Sequence, residues 1–304
     1  MKSPAAWING EILPFSQAAV PVWDLGVVAG ASVTEMARTF AHRPFRLERH
    51  VDRLCSSLAE LRFPQPWSKT QLIDAAEVIV RRNVEDLKPT QDLGIVLFST
   101  AGSNATYLGG DSSQSTTCIH TFLLPFELWK SGISSGVRLV TPSVRQIPED
   151  CFPVEFKVRN RLHWWLADRE ATEMESGAKA LLLDHDNCVT ETSTSCFFAV
   201  INGRIVTSDR AVLNSLSGQM VEELAGRCGV PFERRALKFA ELNDANEAFL
   251  SSTPSGLMAV SHINGRSLKT PVESHLCAGL IMRRLLDEYA VIAGLRPDLQ
   301  IANC

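Results

Sequence analysis

The segment PVEFKVRNRL, residues 153–162, places a lysine at the end of an apolar stretch, directly before the start of a predicted helix. The alternation of Val154, Phe156 and Val158 with charged residues predicts a strand with one apolar face. Lys157 would then lie on a core-like strand. A lysine amine that is shielded from solvent becomes reactive toward carbonyl groups. Two explanations of Lys157 therefore stay open. Lys157 is either a solvated charge at a strand end or an amine that does chemistry.

The bulk composition is that of an ordinary globular protein. The 304 residues are 45% hydrophobic and 21% charged, and their number corresponds to about two domains of roughly 150 residues each. The net charge of −4 comes without a basic stripe, which argues against nucleic acid as a partner. No run of about 18 apolar residues predicts a membrane span, and no secretory signal is recognisable, so we expect no membrane association.

The cysteines point to a reducing compartment. All eight are scattered along the chain, without a CxxC pair or the spacing of a metal site. Reduced thiols are the expected state, and we predict a cytoplasmic protein without a structural or catalytic metal.

Helical and strand patterns alternate without internal repeats, which predicts a two-domain α+β (mixed α/β) enzyme-like architecture. We assign residues 1–126 to a smaller N-terminal domain, 127–136 to a linker and 137–304 to a larger domain that carries Lys157. The polar, glycine-rich stretch 103–117 is a candidate mobile gate, and a C-terminal helix is predicted over 271–293.

Three further segments contain groups that could serve an active site. VTETSTSCFF holds Glu191 among small hydroxyl residues, and VLNSLSGQMV places Leu216 and Ser217 at a helix start, where backbone N–H groups bind anions. SSTPSG supplies consecutive hydroxyl groups after a strand. Each also has an ordinary explanation: a surface turn carboxylate, a plain N-cap and a satisfied loop.

Taken together and in this order, these segments resemble the fold-type IV family of pyridoxal-phosphate enzymes. That family includes branched-chain aminotransferases, D-amino-acid aminotransferases and aminodeoxychorismate lyases. The resemblance extends from WINGEILP, residues 7–14, to HINGR, residues 262–266. It implies the two-domain D-amino-acid aminotransferase-like fold, pyridoxal 5′-phosphate as cofactor, and a homodimer.

The resemblance also implies roles for single residues. In EFKVRNRLHWWLADREA, Lys157 would hold the cofactor as an aldimine, and in VTETSTSCFF, Glu191 would face its pyridine nitrogen. Cys196 stands where asparagine is common in the family. LERHVDRL implicates Arg53 in phosphate binding. VLNSLSGQMV and SSTPSG add the remaining cofactor-binding candidates: Leu213 against the ring, and Leu216, Ser217 and Thr253 at the phosphate.

The implied reaction is transfer of an amino group between an amino acid, branched-chain-like or other, and a 2-oxo acid. The pattern GASVTEMARTF, with Glu35 and Arg38, is similar to branched-chain transaminases. The alternative is a 4-amino-4-deoxychorismate lyase that releases pyruvate, since K-x-x-N-R-L from Lys157 is similar to the lyase pattern. A minor alternative is a non-catalytic, cofactor-binding or scaffold homologue. A serine hydrolase built on Ser217 or Ser252 is disfavoured because neither serine lies in a G-x-S-x-G motif.

The substrate end of the site departs from the family. Residues 95–106 are uncharged throughout, where related aminotransferases use an arginine near the substrate carboxylate. A carboxylate in a dry site needs a cation, because an unpaired buried charge is costly. The substrate-binding candidates are Thr34, Arg38, Arg159 and Arg161.

Overall fold

The structure is a computed structural model that describes residues 3–108, 115–268 and 278–295. The chain divides into two compact units. Unit 1 consists of Met1–Leu124 and Phe156–Asn160, and unit 2 of Pro125–Glu155 and Arg161–Cys304. The domain ranges given above stay predictions.

Unit 1 is an antiparallel sheet with helices on one face. Its described elements are, in chain order, β1 (Ala5–Ile8), β2 (Glu11–Pro14), α1 (Leu25–Val28), β3 (Ser32–Phe40), β4 (Arg43–Phe45), α2 (Leu47–Glu60), α3 (Lys69–Val84), β5 (Leu93–Thr100), α4 (Ala105–Leu108) and β6 (Thr117–Leu123). The strand order is β2-β1-β6-β5-β3-β4. Two tight turns join neighbouring strands, at Asn9-Gly10 and Ala41-His42, and all four turn residues have positive φ.

The main core of unit 1 lies between the sheet and the helices α2 and α3. Leu54 and Ile79 from the helices pack with Val33, Ile95 and Leu97 from the strands. Because side chains alternate along a strand, the residues between these point to the other face of the sheet. A smaller apolar cluster there is centred on Val96, Phe98 and Cys118, and we call it the Phe98 face.

The segment around Lys157 joins this sheet at the start of β3. Val158 forms an antiparallel bridge with Val33. The Thr34 N–H donates to the Lys157 carbonyl at 2.8 Å, and the Arg159 N–H donates to the Ser32 carbonyl at 3.1 Å. Residues 157–159 therefore extend the sheet of unit 1.

The strand predicted over residues 154–158 is wrong in extent, because only Val158 pairs as a strand residue. The backbone before it is used in local turns and loop contacts. The Val154 N–H donates to the Phe152 carbonyl at 2.8 Å, and the Glu155 carbonyl accepts from Asn214 at 3.3 Å. Alternating side chains cannot produce a ladder where the backbone groups already have other partners.

Unit 2 is built around a second, larger sheet. Its described elements are, in chain order, α5 (Phe126–Ser135), β7 (Val137–Val140), α6 (Leu162–Met174), β8 (Lys179–Leu183), β9 (Val189–Thr192), β10 (Cys196–Ile201), β11 (Arg204–Thr207), α7 (Leu216–Arg227), β12 (Phe232–Arg234), β13 (Ala245–Ser252), β14 (Gly256–Ile263), β15 (Arg266–Ser267) and α8 (Leu280–Ile292).

The strands of unit 2 close on themselves. Their order is β12-β11-β10-β13-β14-β7-β8-β9, with β15 beside β14. An additional pairing of β9 with β10, at Glu191 and Cys196, turns the strands from β10 to β9 into a ring of six. Leu139, Leu181, Phe197 and Leu250 fill its core. The ring closure fixes the backbone at Glu191.

Three predicted segments lie wholly or partly within the described residues. The predicted linker 127–136 lies almost wholly within the helix α5, and its role as a linker stays a prediction. The candidate gate contains α4, but its residues 109–114 lie outside the described residues, so gating stays a prediction. The predicted C-terminal helix is described from Leu280 onward, while 271–277 also lie outside. Within the described ranges, no helix combines the length and apolar character that a bilayer crossing requires.

Candidate active site

A buried ion cluster in unit 1 contains the predicted phosphate-binding arginine. His50 and Arg53 are three residues apart on α2, so they share one face of the helix, and both reach Glu35 on β3. Arg53 donates from Nε to Glu35 Oε1 at 2.6 Å and from Nη2 to Oε2 at 2.8 Å. His50 Nδ1 lies 2.9 Å from Glu35 Oε2. Arg53 is thus held in a bidentate pair by a carboxylate that is 1% exposed.

The electrostatics of this cluster fix its charge state. Burial by itself raises the pKa of Glu35, but the hydrogen bond from His50 and the charge and hydrogen bonds of Arg53 outweigh it and lower the pKa to about 2. Burial lowers the pKa of His50, and the hydrogen bond to Glu35 opposes this shift. At neutral pH the cluster therefore holds an anionic Glu35, a neutral His50 and a cationic Arg53.

Lys157 lies near this cluster. Its positive charge is one of the causes that lower the pKa of His50, after burial and the charge of Arg53. The side chain is partly buried. The charge of Lys157 therefore acts on the ion cluster within unit 1.

The second predicted cluster lies in unit 2, around Glu191. Glu191 is 8% exposed on β9, and its Oε1 accepts the backbone N–H of Leu213 at 3.0 Å. Two sequence-predicted residues are therefore in direct contact. Burial lowers the pKa of Arg161, whereas the charge of Glu191 raises it, and Arg161 also donates to the Ser193 carbonyl.

The start of α7 supplies backbone donors. The Ser215 hydroxyl caps the helix by accepting the Gly218 N–H at 3.1 Å. In the described part of the chain no acceptor is found for the N–H groups of Leu216 and Ser217, as expected in the first turn of a helix. These two donors and the positive end of the helix dipole suit an anion such as phosphate.

Hydrogen bonds connect this helix start to the segment before Thr253. The Ser217 hydroxyl donates to the Ser251 carbonyl at 3.1 Å, and the Ser251 hydroxyl donates to the Ser217 carbonyl at 3.2 Å. Thr253 follows two residues later, in the turn between β13 and β14. Because the Ser217 hydroxyl donates to a carbonyl, its backbone N–H is the better candidate for binding phosphate.

Cys196 connects Glu191 with the same helix start. It pairs with Glu191 across β9 and β10, and a Cβ placed on Gly218 would lie 3.6 Å from its Sγ. The predicted ring-nitrogen, ring-face and phosphate groups of unit 2 therefore form one continuous surface. In chemical terms, the residues fit pyridoxal phosphate: a carboxylate for a ring N–H, backbone donors and a serine-rich turn for a phosphate, and a partly buried amine for an aldehyde.

The substrate candidates differ in their surroundings. Arg38 is buried, donates from Nε to the Thr39 carbonyl at 3.0 Å and stacks on Phe40. Arg159 is exposed, and its guanidinium carbon lies 4.0 Å from the centre of the Phe98 ring. Thr34 donates its hydroxyl to the Leu97 carbonyl at 3.1 Å.

Sequence reasoning missed His50. The residue lies on the apolar face of α2, among Leu47, Val51 and Leu54, where a histidine needs a polar partner. A histidine on an apolar helix face, together with Glu35 inside the apolar strand β3, was the sequence pattern that could have indicated this buried pair.

Comparison with known proteins identifies the family. The pattern of the family described as amino-transferase class IV matches residues 32–263, a stretch that includes Arg53, Lys157, Glu191 and Thr253. A putative branched-chain-amino-acid aminotransferase of Methanocaldococcus jannaschii is 29% identical, over 93% of this chain and 94% of the relative.

Two further relatives agree. A branched-chain-amino-acid aminotransferase-like protein of Arabidopsis thaliana is 28% identical over 86% of this chain, and the chain spans about half of its length, 46%. The crystal structure of the branched-chain amino acid aminotransferase from Thermobaculum terrenum, in its holo-form with pyridoxal phosphate, superimposes with a TM-score of 0.82. Its identity is 26%, and the match covers 98% of this chain and 96% of that one.

These matches confirm the predicted two-domain α+β fold and pyridoxal phosphate as cofactor. They favour the predicted transfer of an amino group over the lyase alternative, because the matched relatives are aminotransferases. The chain therefore belongs to the class IV aminotransferase family.

Proposed function

We propose that this protein transfers the amino group of an amino acid with a branched-chain-like, apolar side chain to a 2-oxo acid. The observation that carries the proposal is the family match over residues 32–263. The names of the relatives from Methanocaldococcus jannaschii and Arabidopsis thaliana support the branched-chain class of donor.

Lys157 has the central role in this proposal. It would hold the cofactor until the substrate amine displaces it, and its Nζ would then take the proton from the substrate α-carbon and return it at the next atom. The bound cofactor supplies an aromatic ring that accepts the electron pair left at the α-carbon.

The remaining residues would position the cofactor. Glu191 would accept the ring N–H and keep the ring nitrogen protonated, and Leu213, whose N–H holds Glu191 at 3.0 Å, would lie against the ring. The backbone of Leu216 and Ser217, Thr253, and Arg53 would bind the phosphate.

The Phe98 face supports an apolar substrate side chain. Thr34 on β3 is directly opposite Phe98 on β5, and its N–H donates to the Lys157 carbonyl at 2.8 Å. Residues directly opposite one another in a sheet share a face, so the Lys157 side chain leaves the sheet on the side of Phe98. An apolar surface beside the reactive amine suits a hydrocarbon side chain.

A homodimer is part of the proposal. Unit 1 exposes a group of large apolar side chains on two segments that are joined by backbone hydrogen bonds, among them Leu25 N–H to Gly102 carbonyl at 2.8 Å. The exposed side chains are Val22, Trp23, Val27, Val28, Tyr107 and Leu108. Such a patch is typical of a protein interface. A cytoplasmic location is proposed from the cysteines, six of which are free thiols in the described residues.

The test is a half-reaction screen of the purified protein loaded with pyridoxal phosphate. Single amino donors are added without an acceptor: L-amino acids, D-amino acids, simple amines and aminodeoxychorismate. We expect leucine, isoleucine or valine to convert the absorbance of the cofactor to that of its amine form and to release the matching 2-oxo acid, measured by mass spectrometry. Absence of conversion with every amino donor, or release of pyruvate from aminodeoxychorismate without conversion, would contradict the proposal.

A further inference from the structure

The amino-transfer proposal leaves the substrate carboxylate without an assigned partner. Residues 95–106, from β5 into the following loop, carry no charge. Of the three arginines considered, Arg38 is buried and hydrogen-bonded to the carbonyl of Thr39. Arg161 donates to the Ser193 carbonyl in unit 2 and lies near Glu191. Arg159 is the remaining candidate.

Arg159 and Lys157 leave the backbone on the same side. The two residues flank Val158 in an extended segment that bridges Val33, and side chains two residues apart in extended chain point to one face. Their Cα atoms are about 6–7 Å apart in such a segment. Two long side chains from these positions can reach one small ligand, one with an amine and the other with a guanidinium.

The Phe98 ring orients the guanidinium. The Arg159 Cζ lies 4.0 Å above the ring centre, and Phe98 is buried in the sheet, with 6% exposure. An aromatic ring under a guanidinium holds the planar group in place and leaves its N–H edge open for a planar carboxylate.

No anion neutralises Arg159 in the described part of unit 1. Two titratable groups that its charge affects are Cys118 and His120. Burial raises the pKa of Cys118 to about 11 against the opposing charge of Arg159, so the thiol stays protonated. Burial, then the charge of Arg159, lowers the pKa of His120, whose buried Nδ1 also has no partner among the described residues.

We propose that Arg159 binds the carboxylate of the amino acid and 2-oxo acid substrates, and that it thereby selects acids over simple amines. The inference rests on the proposed amino transfer, since it assigns the substrate carboxylate of that reaction to this residue. The guanidinium edge donates two parallel hydrogen bonds to the carboxylate, while the Phe98 face receives the hydrocarbon side chain.

The kinetic test compares two donors that differ only in the carboxylate, leucine and 3-methylbutan-1-amine. In the holoenzyme, Arg159→Gln should lower kcat/KM for leucine by about 10- to 100-fold and leave that for the amine within about twofold. Arg159→Lys should fall between, because an ammonium keeps the charge without the fork. Arg43→Gln removes an exposed arginine of the same unit and should change neither. Equal losses with both donors, or none, would overturn the proposal.

A binding test separates this inference from the amino-transfer proposal, because it needs no turnover. Titration calorimetry of the holoenzyme measures the Kd of 4-methylpentanoate and of its neutral analogue, 4-methylpentanamide. The wild-type protein and Arg43→Gln should prefer the acid by about tenfold or more, and Arg159→Gln should lose that preference. Equal affinity of the wild type for acid and amide, or a preference that survives in Arg159→Gln, would refute the role of Arg159 whatever the reaction proves to be.

Discussion

Two buried glutamates, one in each unit, are held in opposite ways. Glu35 in unit 1 accepts hydrogen bonds from the side chains of Arg53 and His50, and these partners lower its pKa to about 2. Glu191 in unit 2 accepts the neutral backbone N–H of Leu213. A carboxylate whose charge is matched by an arginine positions that arginine. Glu191 also acts on the charge of Arg161, and we propose that its carboxylate receives the protonated ring nitrogen of the cofactor.

The largest effect should come from replacing Lys157, because the roles given to the two glutamates both depend on it. Replacing Lys157 with alanine should reduce kcat by about 10⁴-fold or more, because no other group is assigned to move the α-proton. The far-UV circular dichroism and the Tm should stay close to those of the wild type. Lys88→Ala, at an exposed lysine of unit 1, is the control and should be fully active.

Borohydride reduction of the loaded wild-type protein gives an independent readout. We expect peptide mass mapping to find the cofactor mass on Lys157. Turnover by a variant that lacks Lys157, or a label on another lysine, would show that the role given to Lys157 is wrong.

The next largest effect tests the unit 2 glutamate. Glu191→Gln should retain the cofactor and lower kcat by about 10²- to 10³-fold, since an amide stabilises a protonated ring nitrogen less well. The thermal stability should change little. Glu173→Gln, at an exposed position of α6, serves as the matched control. Normal turnover by Glu191→Gln would show that the role given to this residue is wrong.

Glu35→Gln should show the reverse pattern. The substitution removes the buried negative charge opposite Arg53, so we expect the free energy of unfolding to fall by about 3 kcal/mol. Urea denaturation measures this, with Glu48→Gln on the exposed side of α2 as control. If the variant unfolds at the wild-type urea concentration, the cluster is not the anchor of Arg53 that we infer.

The way in which Glu35 is held also predicts that acid lowers the stability of the protein. The pKa of Glu35 falls from 4.5 to about 2 on folding, so its contribution is complete above pH 4.5 and is lost as the pH falls toward 2. The lowered pKa of His50 acts in the same direction from about pH 6.5 downward. The wild type should therefore lose more stability than Glu35→Gln between pH 5 and 3. Parallel pH profiles of the two proteins would contradict this expectation.

The smallest effect concerns the helix start of unit 2. Ser215→Ala removes the N-cap of α7 and should cost about 1 kcal/mol of stability. Ser68→Ala removes the cap of α3 in unit 1 and should cost a similar amount. Only Ser215→Ala should also weaken the affinity for pyridoxal phosphate, measured by titration of the cofactor-free protein. If the two variants bind pyridoxal phosphate with equal affinity, the start of α7 does not bind its phosphate.

Much of the fold could be predicted because its signals are local. Asn9-Gly10 is a favoured two-residue hairpin turn, and it joins β1 to β2. The apolar residues of LERHVDRLCSSLAEL have helical spacing, and they form the buried face of α2. The helix α5 across the predicted linker 127–136 was not predicted from the sequence. In the structure a Cβ on Gly132 would lie 3.4 Å from Val137 Cγ2 and 3.7 Å from Met258 Sδ. These are ordinary van der Waals distances, so the packing of this helix does not require a glycine.

The candidate site was predicted as a set of residues, from their resemblance to the family. The contact of Glu191 with Leu213, and the influence of Lys157 on the cluster that contains Arg53, are seen only in the structure. The pairing of Arg53 with Glu35 and His50 could not be read from the sequence, because it depends on which face of α2 meets β3. The choice among Arg38, Arg159 and Arg161 likewise depends on burial and stacking, which only the folded chain supplies.

The residues 157–159 that extend the β3 ladder are encoded beyond Leu124, on the far side of a stretch that belongs to unit 2. A single cleavage after Leu124 would therefore leave Lys157 on one fragment and its β-sheet partner on the other. Neither product would be a self-sufficient module, and association of the two pieces would have to rebuild the ladder by strand addition. Split versions of this enzyme should consequently report reassembly through recovered activity.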